Sequence, residues 1–388
     1  MRAMVMSLFP VAIISLFWQY HLKMTMTDIM ILQASFSVTV SLLEFPGGYI
    51  GDRIGYKNSL LVGASISALG WFIYCLATTF IHALIAELIL GLGITFISGC
   101  DQALLYESLN REGNLNRYSL WNRYYVIAGQ VGEALAALGA GWLYTTHFRL
   151  PFYGQFVIFC MVVLIIFFLK EPPRGVGLKA NHGREMLAVI KQSLWDNKTL
   201  RWVILLSTMF SLSSYYPVWI VQLYTHQSGV DIEWMGFIWA AANVMVALGA
   251  GVSHHLAKWL GFNGALVTCI LLATAGFFGM AVTTAAFGFV FYFLITLMRG
   301  INFTLLTEKL QSLALSHQRA SLLSLRSLLV RGIYALSAPT VGVIIDQKGF
   351  HFALFGLGTF FAVTLFSLWS FVQRLELPKL SWEKNNDL

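Results

Sequence analysis

Twelve times along its 388 residues the chain enters an apolar run of about 20 residues, and this recurrence restricts the fold more than any other feature. A helix rises about 1.5 Å per residue, so roughly 20 residues cross the ~30 Å hydrocarbon layer of a bilayer. The runs fall at 3–22, 29–50, 58–79, 82–106, 119–145, 150–170, 200–225, 232–257, 263–284, 286–315, 319–345 and 350–373. Leu, Ile, Phe, Met and Ala dominate them without period-two alternation, which argues against a barrel and for helices that satisfy their own backbone in lipid. Charged residues make up 11% of the chain, against roughly 25% in soluble domains, too few to cover a water-soluble globule. The expected fold class is an all-α membrane protein of twelve transmembrane helices.

A formal charge of +7 could suggest a nucleic-acid partner, but the placement of the charges argues for a lipid bilayer instead. With the amino terminus in the cytoplasm, the cytoplasmic segments hold Arg2, Arg53, Lys57, Arg111, Arg117, the stretch from Lys170 to Arg201, Lys258, Lys309, Arg319, Arg374, Lys379 and Lys384. The opposite side holds only Lys23, Arg149 and Lys348. This positive-inside bias predicts a multi-pass protein of the inner (cytoplasmic) membrane with both termini in the cytoplasm. The first run follows Met1 and Arg2 directly and lacks a small-residue cleavage site, so it is expected to be a retained helix. Cys75, Cys100, Cys160 and Cys269 lie inside apolar runs without CxxC spacing, and the reading calls for no metal and no cofactor.

The longest polar segment contains Pro172, Pro173, Gly175 and Gly177 and divides the chain near its middle. The expected organisation is a six-helix bundle over 1–170, a cytoplasmic linker over 171–199, a second six-helix bundle over 200–373 and a tail over 374–388. Within the linker, Met186, Leu187, Ile190, Leu194 and Trp195 recur at helical spacing opposite Arg184, Lys191 and Gln192, the pattern of a short helix lying on an anionic membrane surface. The two bundles are related. Gly93-Ile94-x-Phe96 followed by Asp101 matches Gly300-Ile301-x-Phe303 followed by Glu308, and Arg117-x-Ser119-Leu120 matches Arg319-x-Ser321-Leu322. Two six-helix pseudo-repeats place a substrate site between halves near the midplane.

Between the second and third runs stands Gly47-Gly48-Tyr49-Ile50-Gly51-Asp52-Arg53-Ile54-Gly55-Tyr56-Lys57. This resembles the signature loop of the major facilitator superfamily, with Gly48, Asp52, Arg53, Gly55 and Lys57 at the matching positions. The resemblance implies that family's fold, transport by alternating access, and a cytoplasmic gate. In such a gate the aspartate meets the start of the eleventh helix, near Arg319, and the arginine meets an acid ending the fourth, here Asp101. The equivalent stretch of the second half, Ser253 to Asn263, keeps Gly261 but has Lys258 where Asp52 stands, a degenerate copy. His254 and His255 within it point about 100° apart on a helix and lack further ligands, so they read as ordinary interfacial residues. Glu44-Phe45-Pro46-Gly47 and the stretch Asp101 to Leu109 resemble a bacterial branch of the superfamily with poorly defined substrates.

A charge inside a bilayer costs at least about 2.5–3.5 kcal/mol, so each needs a partner, a wet cavity or a function. Glu44, Glu87, Asp101, Arg123, Glu133, Arg299, Glu308, Arg326 and Arg331 are such charges. Ser324, Ser327, Arg331 and Tyr334 form a polar stripe on the eleventh helix, and Gln130 with Glu133 share a face of the fifth, so Arg331 and Glu133 are expected to face one another across the cavity. Arg299 and Asn302 share a face of the tenth, and Tyr216 beside Pro217 marks an irregularity of the seventh. Glu308 is expected to reach Arg326 or Arg319. The substrate and proton candidates are therefore Glu44, Gln130, Glu133, Arg299, Asn302, Arg331, Tyr334 and Tyr216.

No Gly-x-x-x-x-Gly-Lys-Ser/Thr loop supplies ATP hydrolysis, and no nucleophile–base motif suggests an enzyme. The expected activity is secondary transport of a small organic molecule by a monomer, with protons as coupling partner. Efflux by an antiporter of a drug, siderophore or metabolite competes with uptake of an anionic nutrient, and a membrane sensor or enzyme on the same scaffold is the alternative of a different class. Gly129, Gly132, Gly139 and Gly141 enrich the fifth helix, without the Gly-Pro of drug/proton antiporters.

Overall fold

The computed structural model describes residues 1–114, 117–171, 190–314 and 319–375, less the side chains of residues 45, 48, 49, 52, 119, 319 and 320. Helices make up nearly all of the described chain and no strand occurs in it. The first pass is not the single helix expected over 3–22. It comprises α1 (Arg2–Met6), a 3-10 turn (Phe9–Ala12) and α2 (Ile14–Tyr20). Pro10 brings no N–H to that turn, and the Phe9 N–H donates across the bundle to Gln155 Oε1 at 3.0 Å. Next come α3 (Met26–Ile54), opened by a capping box between Thr25 and Asp28, and α4 (Tyr56–Leu76).

The fourth pass, expected as one helix over 82–106, is also broken. It consists of α5 (Phe80–Ile97) and α6 (Cys100–Arg111), which part at Gly99, where φ is +83°. The chain continues through α7 (Tyr118–Thr146), α8 (Leu150–Phe167), α9 (Lys198–Gln227), α10 (Met235–Val282), α11 (Val290–Leu313) and α12 (Arg319–Val372). Among the described residues ten stretches are long and apolar enough to cross a membrane, and two of them run to 51 and 52 residues. At about 1.5 Å per residue each of these two is more than twice the bilayer core. Each also contains one non-helical residue, Gly261 in α10 and Gly349 in α12, with φ of 72° and 82°. Each is two passes, which makes twelve.

Large apolar side chains face outward along these helices. Leu42, Leu135, Leu164 and Val363 are 60–68% exposed, a surface suited to lipid rather than water. Of the expected linker helix, 184, 186 and 187 lie outside the described residues, while Gln192–Asp196 forms one π-type turn with Arg201 bonded to the Leu194 carbonyl at 3.3 Å.

The chain divides into two compact units. The first comprises Met1–Leu178 with Asp231–Ala240 and Ala335–Gly342. Small residues let its helices meet backbone to backbone: a Cβ on Gly63 of α4 would stand 2.8 Å from the Gly93 carbonyl of α5. The same device works at the end opposite the α3–α4 turn. There a Cβ on Gly342 would lie 2.6 Å from Thr27 Cα, and one on Gly141 would lie 2.5 Å from the Glu233 carbonyl. Gly236 presses just as closely on the Ala137 carbonyl.

The second unit comprises Lys179–Val230, Ala241–Tyr334 and Val343–Leu388. Here a Cβ on Gly300 of α11 would stand 2.8 Å from the Ala250 nitrogen of α10. Gly300 is the counterpart of Gly93 in the repeated motif, so both halves use the matching glycine for close helix packing.

Candidate functional site

The signature turn takes its shape from Gly55, which ends α3 and opens α4 with φ +99°, a conformation a side chain would strain. Gly261 does the same in the second half at φ +72°. The glycines that bring α3 against the fourth pass are Gly47, whose Cβ would meet the Thr95 carbonyl at 3.0 Å, and Gly51, whose Cβ would meet Cys100 Sγ at 2.9 Å. Arg53 is exposed. The side chains of residues 48, 52 and 319 lie outside the described part, and with them the expected contact of Asp52 at the start of the eleventh helix.

One acid escaped the sequence reading altogether. Glu171, assigned there to the linker, accepts the N–H groups of Tyr56 at 2.8 Å and Lys57 at 2.6 Å, while Lys57 Nζ donates to the Phe167 carbonyl at 2.8 Å. A carboxylate thus satisfies two orphan donors at the positive end of α4 and ties the signature turn to the end of α8. The available clue was an acid at the end of the sixth run, which the topology expected from the sequence puts on the same side as that turn.

Asp101 has different partners from the one expected. It is buried on α6 and receives Arg2 Nη1 at 3.0 Å and the Tyr125 hydroxyl, with the Arg2 guanidinium 4.6 Å from the Tyr125 ring. The expected Arg53 is not the donor, because the break at Gly99 starts a new helix at Cys100 and the carboxylate faces α1 and α7. Gly129 helps: a Cβ there would come within 3.3 Å of Arg2 Nε.

Among the substrate and proton candidates of the first unit, Glu133 is half-buried and accepts Trp239 Nε1–H at 3.2 Å, Gln130 is exposed, and Glu44 is half-buried. Glu87 is more enclosed than any of these. It is 5% exposed, receives the Tyr74 hydroxyl at 2.5 Å and has the Gln33 side chain alongside. Among the described residues no cation pairs with it.

In the second unit the stripe of α12 runs from exposed Ser324 through half-buried Ser327 and Arg331 to fully buried Tyr334. Tyr334, expected on a cavity face, is core: its ring lies 4.5 Å from Tyr215 and 5.1 Å from Tyr216. Tyr216 and Tyr334 are therefore brought together. Arg299 and Asn302 are not, for Arg299 is exposed while buried Asn302 donates to the Met298 carbonyl at 2.8 Å, one turn back in its own helix. Lys309, expected in a cytoplasmic segment, is 2% exposed with its Nζ 4.8 Å from the Phe262 ring. Glu308 pairs with His254 at 2.9 Å rather than with Arg326, and the expected alternative, Arg319, has its side chain outside the described part. Arg326 goes instead to Thr307 Oγ1 at 3.1 Å and Ser211 Oγ at 2.8 Å.

Among the described residues no cluster of three or more His, Cys, Asp or Glu could hold a metal ion. Twelve apolar passes in two related halves, with charged side chains enclosed among them, define a multi-pass membrane transporter. The chain belongs to the Major Facilitator Superfamily, whose sequence profile matches residues 1–339. It is 23% identical over 368 residues to the uncharacterized MFS-type transporter YxaM of Bacillus subtilis (strain 168), covering 89% of this chain and 86% of that one. It is 22% identical over 294 residues to the hexuronate transporter of the same organism, covering 69% and 68%. Its fold is similar to the crystal structure of the nucleoside transporter NupG, with TM-score 0.79 at 14% identity over 97% of this chain and 99% of that one. It is also similar to a bacterial homolog of the lysosomal transporter Spinster in an inward-facing, occupied conformation, with TM-score 0.72 at 14% identity over 96% and 94%.

Proposed function

We propose that the protein is a proton-coupled secondary transporter that moves a small organic solute across the cytoplasmic membrane by alternating access, with both termini in the cytoplasm. The observation that carries the reading is the glycine packing at one end of the first unit. Gly141, Gly236 and Gly342 bring backbone against backbone. Such a contact is tight yet separable, as a gate that opens in each cycle must be. At the other end the turn at Gly55, with Asp52, Arg53, Lys57 and Asp101, serves as the second gate, and Glu171 fixes its position. Glu133, Arg331, Arg299 and Glu44 remain the charges assigned to solute and proton.

Glu87 supports the coupling. A carboxyl bounded by neutral donors can change its charge only by exchanging a proton, and that exchange follows any motion admitting water to it. The names of the relatives, a hexuronate transporter and a nucleoside transporter, support a solute of small polar organic type. The test is flux into proteoliposomes from a broad solute panel with and without a pH gradient. A solute whose accumulation collapses with the gradient supports the reading. Purified, folded protein that moves neither solute nor protons would overturn it.

A further inference from the structure

Arg326 is a charged side chain for which the transport cycle described above has no use. It lies on α12 about 10 Å along the axis from Arg319 and is 7% exposed. Its two hydrogen bonds, to Thr307 of α11 and Ser211 of α9, both end on neutral hydroxyls. Ser211 directs its own proton to the Ser207 carbonyl at 2.9 Å, which leaves its oxygen turned to the guanidinium as an acceptor. The nearest acid in sequence to Thr307 is Glu308, and His254 holds it.

Among the described residues, then, Arg326 has no carboxylate partner. The contrast is with Arg2, whose charge Asp101 answers. A buried cation without a counter-ion is expensive to keep in a bilayer protein and generally marks a site that an anion visits. Two of the five guanidinium N–H donors are occupied, and two hydroxyls from two different helices fix the plane of the fork. The Phe303 ring lies 5.2 Å from Cζ and is itself 59% exposed, an apolar face beside the charge. Ser324, two residues away, is exposed, and Ser327 is half-buried.

We propose that Arg326, oriented by Ser211 and Thr307, binds the carboxylate of a small organic acid whose body rests on Phe303. A single positive charge with neutral neighbours matches a monoanion, and the planar fork matches a carboxylate. The proposal rests on the transport reading for its purpose but not for its test.

The test is equilibrium binding to the purified full chain, using benzoate, lactate and glucuronate, each against its neutral amide. At least one acid is expected to bind at least tenfold more tightly than its amide. Arg326→Gln should lose at least tenfold for that acid, and Arg326→Lys less. If Arg326→Gln does not fold, the double variant Ser211→Ala/Thr307→Val keeps the charge but frees the fork, and should weaken the acid severalfold while leaving the amide unchanged. Failure of all three acids to bind wild-type protein, or unchanged acid binding in a folded variant, overturns the assignment. Flux measured in parallel separates the two readings. Neutral solutes carried without acid binding would remove the anion site and leave transport standing, whereas Arg326-dependent binding without any flux would do the reverse.

Discussion

Gly342→Val tests the separable gate directly. A Cβ at 342 would stand 2.6 Å from Thr27 Cα, 2.8 Å from the Met26 carbonyl and 2.9 Å from the Thr27 nitrogen. All three atoms are backbone at the start of α3 and cannot rotate aside. Restoring ordinary contact near 3.5–4.0 Å requires the helices to part by about 1 Å. Overpacking of this kind costs roughly 1–3 kcal/mol. Valine's better helix propensity acts on open and closed forms alike and cancels. The ratio of open to closed protein at this end should therefore rise about 5- to 150-fold, since about 1.4 kcal/mol is a factor of ten. The assay is electron–electron resonance between nitroxides at exposed Thr146 and Thr340, in a background with Cys75, Cys100, Cys160 and Cys269 replaced. The longer-distance population should grow, net flux should fall, and Gly342→Ala should lie between. A folded Gly342→Val protein with wild-type distances and flux would refute the reasoning.

Three further outcomes are expected. Glu87→Gln keeps a partner for the Tyr74 hydroxyl but cannot exchange a proton, so gradient-driven accumulation should be lost while solute counterflow persists; retained accumulation would exclude Glu87 from coupling. Glu171→Gln weakens the cap on Tyr56 and Lys57 and should cost about 1 kcal/mol, read as a melting temperature roughly 2–4 °C lower. His21, in the loop after α2, stacks on Phe148 at 4.0 Å. Partial burial first, then the positive charges of Lys23, Arg149 and His147, hold its imidazole below the ordinary value of 6.5. The unfolded chain then binds the proton more readily, so this stability is full above pH 6.5 and is lost as pH falls through 6.5 towards the lower folded value. His21→Phe should flatten that slope in melting curves taken between pH 7.5 and 5, which will be shallow because the ring is exposed.

The passes were legible because roughly 20 apolar residues and the polar turns between them are local properties. Gly55 and Gly261 were legible for the same reason, since matching motifs end in the same backbone conformation. Partners across the bundle were not. Asp101 was assigned to Arg53 from a resemblance, but a two-residue break at Ser98 and Gly99 aims it at Arg2, which the sequence presents only as a topological charge. Glu308 and Arg326 have opposite charges near one another in the expected arrangement, yet His254 and two hydroxyls separate them. Arg299 and Asn302 share helical spacing, but an amide that bonds back to its own helix is buried while a guanidinium three residues earlier is exposed. Spacing fixes which residues neighbour one another on a helix, and only packing decides which of them is enclosed.

The turns at Gly261 and Gly349 carry a mechanical consequence. Each joins two passes through a single non-helical residue, so the connection has no spare length to absorb displacement. A tilt of the pass before Gly349 is handed to the pass after it as by a stiff fork, and the same holds across Gly261. The charges of α12, Arg326 and Arg331, ride on the inner tine of such a fork, while its outer tine carries exposed Phe355, Val363 and Phe366. On the transport reading proposed above, pressure from the surrounding lipid on those side chains would reach the pass that carries the two arginines, which makes membrane thickness an expected input to transport.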